Sequence, residues 1–174
     1  MPARQVTPSP TDRLVVWVVD PRSPVTRREI GAVRDVALAV HDEIPVEVVT
    51  TGDAAGSDAA ARAVVSLLAA GEVHPVRVVE DVTRAHHDDR ADLADPAVVA
   101  RLAEQRGQDA EAVAVLAGLP AVGEMAAEDR ETARWLGDPA DHALFLFAGD
   151  EVLRLPGPGA SAREIVTALR TAAG

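Results

Sequence analysis

The stretch LVVWVVDPRSPVT, residues 14–26, decides the fold of this chain. Its first six residues are apolar and mostly β-branched, which is typical of a strand buried on both faces of a parallel or mixed sheet. Pro21 and Pro24 then end the strand in a turn. After the turn, apolar residues recur at spacings of three and four between residues 30 and 40, which predicts a helix packed on the sheet.

A second strand follows this helix. Ser23 or Thr26 is placed to cap the start of the helix. Beyond its end, Pro45 precedes the β-branched run VEVVTT at residues 46–51. The order strand, helix, strand favours a parallel pair joined by a right-handed crossover. We therefore expect an α/β protein.

The middle of the chain is predicted to be mostly helical. Residues 72–83 are ambiguous, because the run VRVV within them fits either a strand or the start of a helix that continues to His87. Capping residues and apolar stripes predict the other helices, which lie after residue 57 and at 95–106, 109–118 and 120–136.

The chain returns to sheet near its C-terminal end. Residues 143–147 are apolar throughout, and a tight turn separates them from the short run 152–155, which predicts a hairpin. Ser161 is placed to cap a final helix whose inward residues include Ile165 and Leu169. The last part of the chain therefore has the order strand, strand, helix.

These elements suggest one domain with an insertion. Residues 1–13 contain three prolines and predict a disordered arm. The sheet and its flanking helices are expected to form from residues 14–53 together with 138–174. Residues 54–137 are expected to form a helical insertion between the two halves.

The composition excludes several kinds of chemistry. The chain has no Cys, so it offers no disulfide, thiolate nucleophile or Cys-ligated metal site. It has no Lys, so it offers no Schiff base and no phosphate loop of the Walker type. A net charge of −11 and 2% aromatic residues disfavour nucleic-acid binding. Short apolar runs and a polar N-terminus predict a cytoplasmic protein without a membrane segment.

Three stretches resemble the DsbA-like superfamily of thioredoxin-fold proteins. Residues 20–26, DPRSPVT, resemble the family's D-P-x-C-P-x-C turn, with Ser23 and Thr26 at the two cysteine positions. Residues 93–109 resemble the insertion helices of the FrnE-type branch, and residues 133–149 resemble the approach to the third strand. The resemblance implies a thioredoxin-like fold, β-α-β followed by β-β-α, with a helical insertion.

The departures from the family pattern limit the activity. The family's redox chemistry needs a cysteine of low pKa at a helix N-terminus, and the residues at these positions, Ser23 and Thr26, cannot cycle between dithiol and disulfide. Disulfide exchange is therefore excluded for this chain, although other enzymatic activity stays open. The family's cis-proline position falls on His142 here, and we expect the peptide bond before it to be trans.

Two functions from different classes are consistent with these residues. The first is a non-redox binding or adaptor module that holds a protein partner in the groove beside the turn. The residues expected to line this groove are Asp20, Pro21, Arg22, Ser23, Thr26, Asp141, His142 and Ala143. The second is an isomerase or transferase that depends on a low-molecular-weight thiol, glutathione or mycothiol, whose thiolate the Ser23 hydroxyl stabilises as in relatives that carry serine there. Apart from such a thiol, no cofactor is expected.

Other candidate sites have simpler explanations. Ser23 and His142 are the candidate catalytic pair, but the simpler explanation of Ser23, and the one we favour, is a helix cap. Adjacent histidines on a helix point to different sides, so His86 and His87 do not predict a metal site with the acidic residues that follow them. The sequence leaves open whether the chain forms a homodimer.

Overall fold

The computed structural model describes residues 13–52, 56–71, 73–137 and 142–172. The rest of the predicted arm, residues 1–12, and the groove residue Asp141 lie outside these ranges. Arg13 was predicted to belong to the arm, and this was wrong. It is the first residue of a strand, because it pairs in register with Ala148.

The described residues contain a mixed sheet of four strands. The strands are β1 (Arg13–Val19), β2 (Val46–Thr50), β3 (His142–Ala148) and β4 (Glu151–Arg154). Their order across the sheet is β2-β1-β3-β4, with β1 parallel to β2 and antiparallel to β3, and β3 antiparallel to β4. This confirms the predicted thioredoxin-like α/β fold.

Seven helices accompany the sheet in the described residues, and the second to sixth lie between β2 and β3. They are α1 (Pro24–Val40), α2 (Ser57–Ala69), α3 (Pro75–His87), α4 (Pro96–Glu104), α5 (Ala110–Gly118), α6 (Pro120–Trp135) and α7 (Ala162–Thr171). The ambiguous run at 76–79 is helical, and Pro75 is the first residue of its helix. The valines of the run are then fully buried against the rest of the core.

The two faces of the sheet are covered differently. On one face Val15, Trp17 and Val19 are buried together with apolar residues of α1, α2, α3 and α7. On the other face a smaller cluster joins Val18 and Phe145 to residues at the end of α6. The first face therefore holds the main core, and the second is covered mainly by one helix end.

A half-buried carboxylate ties the insertion to the sheet. Asp129 on α6 accepts hydrogen bonds from the backbone N–H and the hydroxyl of Thr50, at 2.8 and 2.7 Å. Burial raises the pKa of Asp129, and these two hydrogen bonds oppose that shift. The Asp129 carboxylate therefore connects helix α6 to the edge strand β2 through two hydrogen bonds within the protein.

No single helix among the described residues is long and apolar enough to cross a membrane. Helices α5 and α6 pass that test only as a pair, and the pair is bent by 68° at its break.

Candidate functional site

The turn after β1 is organised by the side chain of Asp20. Its Oδ1 accepts the backbone N–H of Arg22 at 2.9 Å, and its backbone oxygen accepts the N–H of Ser23 at 3.0 Å. Its Oδ2 accepts the hydroxyl of Ser57 at 3.2 Å. Asp20 and Ser57 are both buried, so this hydrogen bond connects the turn to the start of α2 away from solvent.

Ser23 caps helix α1. Its Oγ accepts the backbone N–H of Val25 at 3.1 Å, and Pro24 follows it at the first helical position. This confirms the predicted cap. Ser23 is only 5% exposed and Thr26 is fully buried. The two residues at the family's cysteine positions are therefore closed to solvent.

His142 is the first residue of β3 and lies opposite Val19 in the sheet. Its Nδ1 accepts the indole N–H of Trp17 at 3.1 Å, so the neutral ring carries its proton on Nε2. Burial lowers the pKa of His142, and the charge of Glu29 opposes that shift. His142 is therefore a neutral, hydrogen-bonded residue of the core near neutral pH.

The hydrogen bonds of the described residues do not join Ser23 to His142: the Ser23 hydroxyl accepts from Val25, and the His142 ring accepts from Trp17. Pro21 and Ala143 of the predicted groove are buried as well. Among the described groove residues, Arg22 alone is partly exposed. Arg22 is therefore the residue of this described set whose side chain a ligand in solution can reach.

Arg22 lines a cavity of about 260 Å³ between the turn and the helical insertion. The other walls come from the start of α2, the end of α3 and the loop after it. They include Gly56, Ala59, His86, Asp92 and Leu93. Gly56 has a φ of +88°, and a Cβ there would lie 2.7 Å from Nη1 of Arg22. A glycine at this position thus lets the guanidinium lie against the backbone.

His86 faces Arg22 closely enough for their charges to interact. Burial lowers the pKa of His86, and the charges of His87 and Arg22 lower it further, while Asp20 raises it. His86 is thus mainly neutral at pH 7 and can donate or accept a hydrogen bond. The cavity combines one guanidinium, one neutral imidazole and the carboxylate of Asp92 with an apolar wall.

Sequence reasoning missed this combination. It treated His86 only as part of a histidine and aspartate cluster, and the described residues hold no group of three or more such side chains placed to bind a metal. Arg22 and His86 are 64 positions apart in the sequence. The family resemblance was the available signal, because it places a helical insertion beside the turn.

The sheet order and the inserted helices define a thioredoxin-like fold of the DsbA type, and Ser23 and Thr26 lie at the two positions that resemble cysteine positions in that family. No protein-family model and no curated protein sequence matches the chain. Solved structures match it well. A protein from Nitrosomonas europaea, provisionally named a protein disulfide isomerase, has a TM-score of 0.83 at 12% identity, over 92% of this chain and 97% of that one.

Two further structures support the same fold. Reduced DsbA1 from Neisseria meningitidis has a TM-score of 0.73 at 13% identity and covers 99% of this chain and 86% of its own. The cytosolic disulfide reductase DsbM from Pseudomonas aeruginosa has a TM-score of 0.69 at 16% identity, over 82% and 89%. At these identities the likeness establishes the fold. The narrower FrnE-type assignment stays a prediction.

Proposed function

We propose that this chain is a non-redox binding module, and that it holds an acidic group of a protein partner in the cavity between Arg22 and His86. The observation that carries the proposal is the accessibility of the turn. Ser23, Thr26 and His142 are buried, whereas Arg22 is partly exposed and lines a cavity. The contact surface then lies on the insertion side of the turn.

A carboxylate with a small apolar neighbour suits this cavity. A guanidinium has five N–H donors in a planar fork that matches a carboxylate, so Arg22 can take a ligand oxygen besides its contacts within the protein. The neutral imidazole of His86 supplies a further donor. Ala59 and Leu93 supply an apolar wall. On a chain of net charge −11, the Arg22 guanidinium is the group in this cavity that attracts an acidic ligand, and the Asp92 carboxylate on the cavity wall opposes that attraction.

The test is a ¹⁵N NMR titration with acetyl-Ala-Glu-amide, with acetyl-Ala-Gln-amide as the uncharged analogue. We expect saturable shifts at the amides of Arg22, Gly56 and His86 with the acidic peptide only. Arg22→Ala should weaken binding by about tenfold or more, because the charged hydrogen bonds to the carboxylate are lost. Added salt should weaken binding in the wild type.

Arg28→Ala is the matched control, since Arg28 is an exposed arginine on α1 and the change in net charge is the same. It should leave the affinity unchanged. Equal affinity for the two peptides, or equal losses in the two arginine variants, would overturn the proposal.

The thiol-dependent enzyme is the second candidate, and it is tested with the same spectra. Glutathione and mycothiol are titrated, and the amides of residues 23–27, His142 and Ala143 are followed. Burial of the Ser23 hydroxyl favours the binding module over this candidate. Shifts at these amides that need the free thiol, vanish in Ser23→Ala and are absent with S-methylglutathione would reverse that preference.

A further inference from the structure

Strand β4 forms an open edge of the sheet in the described part of the chain. In the sheet of the described residues it pairs with β3 alone, and all four of its residues are exposed. The N–H of Leu155 bonds to Leu144 on the β3 side. Because neighbouring residues of a strand alternate, the N–H and C=O groups of Val152 and Arg154 point to the open side.

An exposed aromatic group lies beside this edge. Trp135, at the end of α6, is 70% exposed and stacks on Phe147 with ring centroids 6.3 Å apart. Phe147 lies directly opposite Val152, which is 39% exposed. The chain has only two Trp and two Phe, and three of these four, Trp135, Phe145 and Phe147, lie on this face of the sheet. A contiguous apolar patch of this kind marks an interaction surface.

We propose that two copies of this chain pair through β4, antiparallel about a two-fold axis perpendicular to the sheet. With such an axis, the same face of the sheet lies on the same side in both copies. Residues that lie opposite each other across the axis therefore share a face. With Val152 opposite Val152 of the second copy, the open N–H and C=O groups of the two strands meet. The patches of Trp135, Phe147 and Val152 then become continuous across the axis.

Charge complementarity supports this pairing. In the same register Arg154 lies opposite Asp150 of the second copy, and the symmetry repeats the pair on the other side of the axis. Both residues are exposed; Arg154 is on the same face as Val152, and Asp150 directly precedes β4. Opposite charges on facing strands stabilise a pair, and like charges destabilise it. The edge strand is therefore complementary to itself in backbone, apolar surface and charge.

Sedimentation velocity across protein concentrations of about 5 to about 500 μM tests the proposal. The wild type should shift from 18.2 kDa to twice that mass as concentration rises. Val152→Lys places a charge at the centre of the pairing and should raise the dimer Kd by more than about tenfold. Val115→Lys is the control, since Val115 is 60% exposed on α5 and away from this edge, and it should leave the Kd unchanged.

A charge exchange tests the register independently. Arg154→Asp brings two acidic groups together and should weaken the dimer, and adding Asp150→Arg should restore it. Circular dichroism checks that each variant is folded, and the charge exchange remains decisive should Val152→Lys fail to fold. A wild type that stays at 18.2 kDa at every concentration would overturn the proposal. So would a dimer that neither the β4 substitution nor the charge reversal weakens.

Discussion

The hydrogen bond from the indole of Trp17 to His142 joins two neighbouring strands inside the main core. A buried indole N–H without an acceptor costs about 1–3 kcal/mol, so this contact stabilises the fold whether or not the site binds anything. The imidazole accepts only while it is neutral, because protonation puts a hydrogen on Nδ1. The contact therefore depends on pH.

The first residue-scale prediction follows from the direction of the His142 pKa. Burial holds it below the ordinary value of 6.5, so below that pH the unfolded chain binds more protons than the folded chain. The contribution of the neutral His142 ring to the free energy of unfolding is complete above pH 6.5. It is lost as the pH falls through the lowered pKa of the folded state. His142→Gln keeps an acceptor for Trp17 and does not titrate, so its stability should fall less on acidification.

Urea unfolding at about pH 7.5 and about pH 5 measures this difference. Subtracting the variant from the wild type removes the shared contributions of the carboxylates and the other histidines. His142→Leu should be less stable than His142→Gln at both pH values, because Trp17 then lacks an acceptor. Parallel pH curves for the wild type and His142→Gln would contradict the assignment of a buried neutral imidazole.

At the scale of elements, the end of β2 and the turn after β1 meet at Gly52. This glycine has a φ of +125°, and a Cβ there would lie 2.5 Å from Oδ2 of Asp20 and 2.7 Å from Oγ of Ser57. Those two side chains are hydrogen-bonded to each other and buried. A side chain at Gly52 would separate the turn from α2, so the packing of two elements depends on this position.

We therefore predict that Gly52→Ala destabilises the protein more than Gly159→Ala. Both glycines have positive φ, which costs about 1–2 kcal/mol for a residue with a Cβ, but a Cβ at Gly159 meets open space. Crowding should add about 1–3 kcal/mol at Gly52. Thermal unfolding of the two variants compares them, and equal losses would show that the turn adjusts freely.

At the scale of the whole molecule, the inserted helices and the sheet are linked through Asp129 and Thr50. This contact joins residues 79 positions apart. We expect Asp129→Ala to lower the free energy of unfolding by about 1–3 kcal/mol, because it leaves the N–H and hydroxyl of Thr50 without their acceptor. Asp129→Asn keeps one acceptor and should lose less.

The pH dependence separates these variants. Because burial raises the pKa of Asp129 above 3.8, the folded chain binds more protons than the unfolded chain above that pH. The stabilisation that comes from this pKa shift is largest below pH 3.8 and falls as the pH rises through the raised pKa of the folded chain. Asp129→Asn does not titrate, so its stability lacks this pH dependence. Chemical unfolding between about pH 3.5 and about pH 7 measures it. Glu128→Gln, an exposed neighbour on α6, is the control and should follow the wild type.

The distance over which each feature is determined explains which predictions succeeded. The strand at 14–19, the cap at Ser23 and the cap at Ser161 depend on neighbours within a few residues, and all three are confirmed. The run at 76–79 was ambiguous because periodicity over four residues does not distinguish a strand from a helix. Packing of the helix against the core decided it.

The sequence by itself determined the α/β order of elements, the resemblance to DsbA-like proteins and the absence of thiol chemistry, because these follow from residue types and local spacing. Only the tertiary structure decided which side chains are accessible. It buried Ser23 and His142, placed Arg22 beside His86 and exposed Trp135 next to β4. Burial and proximity are sums over contacts between distant segments, and one sequence carries no direct record of those contacts.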